Sequence, residues 1–122
     1  MKIRIKGNSI RYRLTKSEVN QLAVTGYLEE QTIFPSNRFV YALEVNEGDN
    51  PLFARLGHNK ITMHIPSSFC KDWAQNDIVG LSANMPFFED NSLYLLVEKD
   101  FVCVDETIED QRDNFENPNK KL

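Results

Sequence analysis

Lys2-Ile3-Arg4-Ile5-Lys6-Gly7-Asn8-Ser9-Ile10-Arg11-Tyr12-Arg13-Leu14 alternates polar and apolar residues on both sides of Gly7-Asn8. Period-two alternation marks a strand with one wet and one buried face, and a two-residue turn between two such runs makes an antiparallel hairpin. With Gly7-Asn8 as the turn, the facing pairs are Lys6 with Ser9, Ile5 with Ile10, Arg4 with Arg11, Ile3 with Tyr12, and Lys2 with Arg13. All five cations then share one face. Ile3, Ile5, Ile10, Tyr12 and Leu14 make the other face, which needs a core to cover it. Facing like charges destabilise a strand pair, so the cation face calls for an acidic neighbour, an external anion, or screening by water and salt.

This basic start belongs to an acidic protein. The chain has 122 residues and a net charge of -4, yet its first seventeen residues hold six of the fourteen cations and no acid. The densest acidic stretch lies at the other end, where Asp105, Glu106, Glu109, Asp110, Asp113 and Glu116 meet only Arg112 before the final lysines. A length of 122 residues suits one domain, and a composition 41% hydrophobic and 26% charged is that of an ordinary globule. No run approaches the roughly 20 apolar residues that span a bilayer, and no apolar segment follows the basic start, so a cytoplasmic location is expected. Cys70 and Cys103 are too few for a disulfide framework and read as small buried hydrophobes.

After the hairpin, Thr15-Lys16-Ser17-Glu18 fits a capping box, with Val19, Leu22 and Ala23 on one helical face and Gly26 as the stop. Tyr27 to Phe34 and Arg38 to Val45 read as strands around the turn-forming Pro35-Ser36-Asn37. Glu47-Gly48-Asp49-Asn50-Pro51 breaks the chain, and the pattern then restarts. Advanced by 51 residues, Arg4 falls on Arg55, Asn8 on Asn59, Ile10 on Ile61, Ser17 on Ser68, Ala23 on Ala74 and Pro35 on Pro86. A second hairpin (52–56 and 60–65), a second helix (67–75) and a strand (78–85) fall where the first half predicts. Advanced by 53, Tyr41 and Leu43 fall on Tyr94 and Leu96. The expected architecture is α+β: about eight mostly antiparallel strands in a curved sheet or barrel, with two amphipathic helices and a tandem ββαββ pattern. One globular domain spans 1–104, with pseudo-repeats 1–47 and 51–104, and 105–122 is an acidic, loosely ordered tail.

Pairing in the second hairpin turns Arg55, Thr62 and His64 to the side that Arg4, Arg11 and Arg13 occupy in the first. Arg4, Arg11, Arg13, Arg55 and His64, with Lys2 and Lys6, are the candidate anion-binding set, and Glu29, Glu44 and Glu98 are candidate acidic partners. The set lines a polar lumen if the sheet closes and faces solvent if it stays open. Arginine suits phosphate or carboxylate because its planar fork donates two parallel hydrogen bonds. A solvated or acid-paired surface is the plainer alternative. Nucleic acid is disfavoured by the acidic overall charge and the lack of interleaved aromatics beyond Tyr12. There is no phosphate-loop or dinucleotide glycine signature and no zinc-ligand spacing, so no metal or cofactor is expected. A Cys or Ser nucleophile with His64 as its base would be a matter of spatial neighbours, which sequence does not give.

The segments Lys2 to Val19 and Leu95 to Asp105, with Asn117-Pro118-Asn119, resemble an uncharacterised family of short bacterial proteins, a likeness that covers most of the chain and implies no activity. The architecture is similar, more remotely, to the triphosphate-tunnel (CYTH-like) fold, an eight-stranded antiparallel barrel whose polar lumen binds phosphates. Enzymes of that fold carry Glu-x-Glu-x-Lys near the N-terminus, where this chain has Lys2-x-Arg4-x-Lys6. The cations are kept and the metal-binding carboxylates are not, which favours anion binding over metal-dependent hydrolysis. Three functions follow as expectations. The first is a non-enzymatic module that holds a small anion or an acidic protein segment. The others are a metal-dependent phosphohydrolase using Glu29, Glu44 and Glu98, and a purely structural, protein-interaction domain.

Overall fold

The computed structural model describes residues 1–101; the expected acidic tail, 105–122, and Cys103 lie outside them. The first hairpin forms in the expected register. Strands β1 (Lys2–Ile5) and β2 (Ser9–Leu14) pair Lys2 with Arg13, Ile3 with Tyr12, Arg4 with Arg11 and Ile5 with Ile10. Gly7 stands at φ 56°, in the left-handed region that a tight hairpin turn requires. Helix α1 (Lys16–Thr25) starts on the expected capping box: the Thr15 hydroxyl accepts from the Glu18 N–H, and the Glu18 carboxylate accepts from the Thr15 N–H. It ends at Gly26, whose φ of 77° lets its N–H reach the Leu22 carbonyl.

Strands β3 (Tyr27–Ile33) and β4 (Arg38–Asn46) form the second hairpin, and β5 (Phe53–Gly57) and β6 (Lys60–Pro66) the third. The second helix is shorter than the expected 67–75. Pro66 at its N-cap offers no side-chain cap, and α2 (Ser67–Cys70) gives way to a 3₁₀ turn at Trp73–Gln75. Strands β7 (Gly80–Phe87) and β8 (Asn91–Lys99) complete the described chain.

The expected single curved sheet or closed barrel is corrected to two four-stranded mixed sheets, ordered β1-β2-β8-β7 and β3-β4-β6-β5. Each hairpin is antiparallel, but β2 runs parallel to β8 and β4 parallel to β6. Each half of the chain therefore gives one hairpin to each sheet. The two sheets repeat one pattern of pairing. Lys2↔Arg13 and Arg4↔Arg11 correspond to Phe53↔His64 and Arg55↔Thr62, 51 residues on. Across the parallel seams, Arg13↔Glu98 corresponds to His64↔Glu44, which sets β4 on β8 one residue away from the expected match of Tyr41 with Tyr94 and Leu43 with Leu96, and at the outer pairs Tyr27↔Glu44 corresponds to Gly80↔Glu98.

The apolar faces of both sheets enclose one core. Ile10, Tyr12, Leu14, Leu95 and Val97 come from the first sheet and Leu28, Leu43, Ile61, Met63 and Ile65 from the second, all buried in a single cluster. Hydrogen bonds tie the first sheet, and the Met1 that leads into it, to the second sheet. The Tyr12 hydroxyl donates to the Ile61 carbonyl at 3.3 Å, the Tyr41 hydroxyl to the Met1 carbonyl at 2.9 Å, and the Ala54 N–H to the Met85 sulfur at 3.3 Å. The two helical segments touch each other, and both follow strand ends remote from the hairpin turns. Within each sheet the two hairpin turns lie side by side, Asn8 bonded to the Ser92 carbonyl in the first and Asn59 to Asn37 in the second. Val19, Leu22, Cys70 and Trp73 carry the core into the helical end, where the Trp73 indole N–H donates to the Ile78 carbonyl at 2.8 Å.

This arrangement decides which way the polar faces point. The space between the sheets is filled by apolar side chains, so strand alternation turns the charged faces outward. A polar lumen is therefore not what these sheets enclose.

Candidate functional site

On the outer face of the first sheet the cations stand in rows set by the pairing register. Lys2 lies beside Arg13, which lies beside Glu98; Arg4 lies beside Arg11, which lies beside Leu96. The counter-charge that the sequence calls for is largely Glu98. One of its oxygens, Oε2, accepts from Arg13 Nε at 3.1 Å and Nη2 at 2.9 Å, and stands 3.6 Å from Arg11 Nε. The Glu98 side chain is only 16% exposed, so this contact is screened less than an ordinary surface pair. Farther along the same edge, Lys2 Nζ lies 3.4 Å from Asp100 Oδ2. Asp100 is also held by its backbone, whose N–H donates to the Leu14 carbonyl at 2.7 Å.

Among the described residues, two carboxylates thus answer the cations at the helical end of this face and none answers those at the turn end. Among the described residues, Arg4 and Lys6 have no acidic side chain within ion-pair distance. With Arg11, Ser9, Ile10 and Tyr94 they line a cleft of about 210 Å³. Its floor is fixed by hydrogen bonds between turn and strand: the Tyr94 N–H donates to the Asn8 carbonyl at 3.1 Å, and the Asn8 side chain donates to the Ser92 carbonyl at 2.7 Å. The Ser9 hydroxyl donates to the Lys6 carbonyl at 2.7 Å, which pins the turn from inside. A guanidinium from each of two adjacent strands, an ammonium and a tyrosine converge on one small opening. That set can donate several hydrogen bonds to an anion and offers an aromatic edge to whatever carries it.

Arg55 and His64 do not join this cleft, because the β5–β6 hairpin belongs to the other sheet and its polar face looks outward on the opposite side of the molecule. His64 is buried rather than displayed. Its ring stacks on Phe53 with centroids 4.5 Å apart, Nδ1 lies 3.1 Å from the Asn46 side-chain oxygen, and Nε2 is buried with no hydrogen-bond partner among the described residues. Burial lowers its pKa; the Glu44 charge partly offsets that and the Arg55 charge adds to it. The ring is therefore neutral near pH 7, and the Asn46 contact makes Nδ1 the protonated nitrogen. Arg55 lies over the Phe53 ring, 5.9 Å from its centroid.

Glu29 and Glu44 share this second sheet, while Glu98 is on the first, so the three acids are not brought together. Glu29 is engaged locally: it accepts from the Tyr27 hydroxyl at 2.7 Å, which accepts from Lys60 Nζ at 2.8 Å, and Lys60 lies 3.6 Å from Glu29. Among the described residues, no three His, Cys, Asp or Glu side chains form a group that could hold a metal ion. Cys70 is buried against the core, and burial pushes its thiol up to about 11, away from the thiolate that nucleophilic work requires.

Sequence reasoning missed Ser9 and Tyr94 as parts of the cleft. Tyr94 enters through the parallel β2–β8 seam, which no local pattern announces. No helix among the described residues is long and apolar enough to cross a membrane. A family model described as a family of unknown function (DUF7009) matches residues 1–119. No curated protein and no solved structure matches the chain, so the likeness to the triphosphate-tunnel fold gains no support.

Proposed function

Because this chain belongs to a family of unknown function, DUF7009, the reading must come from the site, and we propose that the outer face of the first sheet is a non-enzymatic anion-binding surface. Its ligand is small and bears a phosphate or a carboxylate. The observation that carries this reading is the uneven neutralisation of the face: Glu98 and Asp100 occupy Arg13, Lys2 and one side of Arg11, while Arg4, Lys6 and the open side of Arg11 converge on the cleft beside Tyr94. Facing Arg4 and Arg11 repel each other in the empty site, and an anion between them removes that repulsion as well as accepting hydrogen bonds. Arg55 and His64, first grouped with this set, lie on the other sheet and are left out of the ligand site. The matching registers of the two sheets support a tandem duplication in which the first copy kept its cations at positions where the second has Phe53, Thr62 and His64.

Thermal unfolding with added phosphate, triphosphate, citrate and nucleotides tests the proposal. A ligand present at about 100 times its dissociation constant adds roughly 2.7 kcal/mol to the folded state. Stabilisation that disappears in Arg4→Gln is the expected result. No shift with any of these anions would overturn small-ligand binding. A second reading is favoured by the acids between Asp105 and Glu116: an acidic protein segment fills the same cleft. Stabilisation by an acidic peptide, with no response to small anions, would select it.

A further inference from the structure

The turn ends of the two sheets display most of the exposed large apolar side chains, and they fall into a projecting tip and a recess. The β7–β8 hairpin outruns its neighbour: its first contact with β2 is Tyr94 opposite Ser9, whereas its own pairing continues to Phe87 opposite Asn91. Three further residues carry the tip about 10 Å past the level of Ser9, at ~3.3 Å per residue. The tip presents Phe88, 73% exposed, packed edge-on against Phe87 with ring centroids 6.3 Å apart. It is turned by Glu89 and Asp90, both at positive φ, 60° and 63°. Neither carboxylate has an ion-pair partner among the described residues.

On the other sheet, the β3–β4 and β5–β6 turns flank a cleft of about 590 Å³. Its apolar wall is Ile33, 74% exposed, with Phe34 and Val40, and its rim carries Arg38. Arg38 likewise has no acidic partner among the described residues, whereas Lys60 across the cleft is already tied to Glu29 and Tyr27. The tip is thus aromatic and acidic, and the recess is aromatic and basic. An apolar patch of this kind on a soluble domain marks an interface, and opposite unpaired charges on its two parts say which surfaces meet.

We propose that these ends form a homodimer interface in which the Phe87–Asp90 tip of one copy enters the Ile33–Phe34–Arg38 cleft of a second. Tip and cleft sit on different sheets, so a two-fold axis that sets each tip in the partner's cleft makes the contact twice and closes it. Phe88 is the apolar anchor, and Glu89 and Asp90 pair with the partner's guanidinium at the rim.

Sedimentation velocity from about 1 μM to about 1 mM reads the monomer–dimer equilibrium directly. Wild-type protein dimerises within this range. Glu89→Lys with Asp90→Asn makes the tip basic, and Arg38→Glu makes the cleft rim acidic, so each variant alone meets like charge and dissociates at least about tenfold more readily. An equimolar mixture of the two restores dimers, because the basic tip then meets the acidic cleft while the native tip of one variant meets the native cleft of the other. Rescue also shows that both variants are folded. Phe88→Ser is monomeric with or without either partner. A wild-type monomer throughout, undiminished dimerisation in the charge variants, failure of the mixture to dimerise, or a ladder of larger species would overturn the proposal.

Discussion

Replacing Glu98 by Gln removes the one carboxylate that two arginines share, and the structure sets the size of the effect. The Arg13–Glu98 contact, 2.9 Å at its closest, is worth several kcal/mol of gross Coulomb attraction at an effective dielectric constant of about 20. Most of that is offset by desolvation and by the side-chain order it demands. Glu98 is 16% exposed and Arg13 36%, so the net value lies between the 0.2–1 kcal/mol of exposed pairs and the roughly 3–5 kcal/mol of breaking a fully buried one. Gln still accepts a hydrogen bond. Glu98→Gln is therefore expected to cost about 1–2 kcal/mol, a fall in Tm of roughly 4–8 °C for a domain of this size. Urea unfolding of wild type, Glu98→Gln, Arg13→Gln and the double variant gives the coupling directly. A coupling of about 1 kcal/mol that shrinks in about 1 M salt is the predicted outcome. A coupling below about 0.3 kcal/mol, or one indifferent to salt, would refute the view that Glu98 neutralises this face.

Two further predictions concern the frame. The Met1 amino group is ion-paired with Glu18 and, at 3.0 Å, with Glu30. Burial disfavours the ammonium, but the two glutamates outweigh it and raise its pKa above 8.0. Burial likewise opposes the Glu18 charge, and the hydrogen bonds from Met1 and Thr15 prevail and lower its pKa below 4.5. A lowered carboxyl pKa stabilises the fold above its unfolded value and loses that contribution as pH falls through the folded one; a raised amine pKa does the reverse at alkaline pH. The pair thus contributes fully between about pH 4.5 and 8, and Glu18→Gln should flatten the decline in stability on both flanks, measured by urea midpoints across pH. Gly80 packs so closely on β8 that an added Cβ would overlap the Val97 carbonyl oxygen and lie 2.9 Å from the Glu98 Cα. Gly80→Ala forces β7 away from β8 and should cost about 3 kcal/mol or more by thermal unfolding. A loss under about 1 kcal/mol would mean that the strand gives way easily.

Local pattern was enough for the parts of the fold that local chemistry controls. Alternation around a two-residue turn fixed the register of Lys2 to Leu14, because a slip of one residue would expose Tyr12 and bury Arg11. Thr15, Glu18 and Gly26 marked both ends of α1 through their own hydrogen bonds and backbone angle. The parallel seams were not legible. Leu95 and Val97 are apolar whichever strand lies beside them, so nothing in their spacing says that β8 pairs with β2 rather than closing on a strand of its own half. The split into two sheets followed from those seams, and with it the separation of Arg55 and His64 from Arg4 and Arg11. His64 sits at a period-two polar position, but the facing Phe53 covers the ring. The cation face itself was readable, and Glu98 was among its named partners. Which cations Glu98 leaves open depended on its placement opposite Arg13.

The most direct test of the anion-site account is a titration of ¹⁵N-labelled protein with inorganic triphosphate, followed by amide and arginine side-chain chemical shifts. Saturable shifts confined to Arg4, Lys6, Ser9, Arg11 and Tyr94 are predicted, with tighter binding in Glu98→Gln because the competing carboxylate is gone. Shifts centred on Arg55 and Arg38 of the other sheet, or no saturable shift at all, would contradict it.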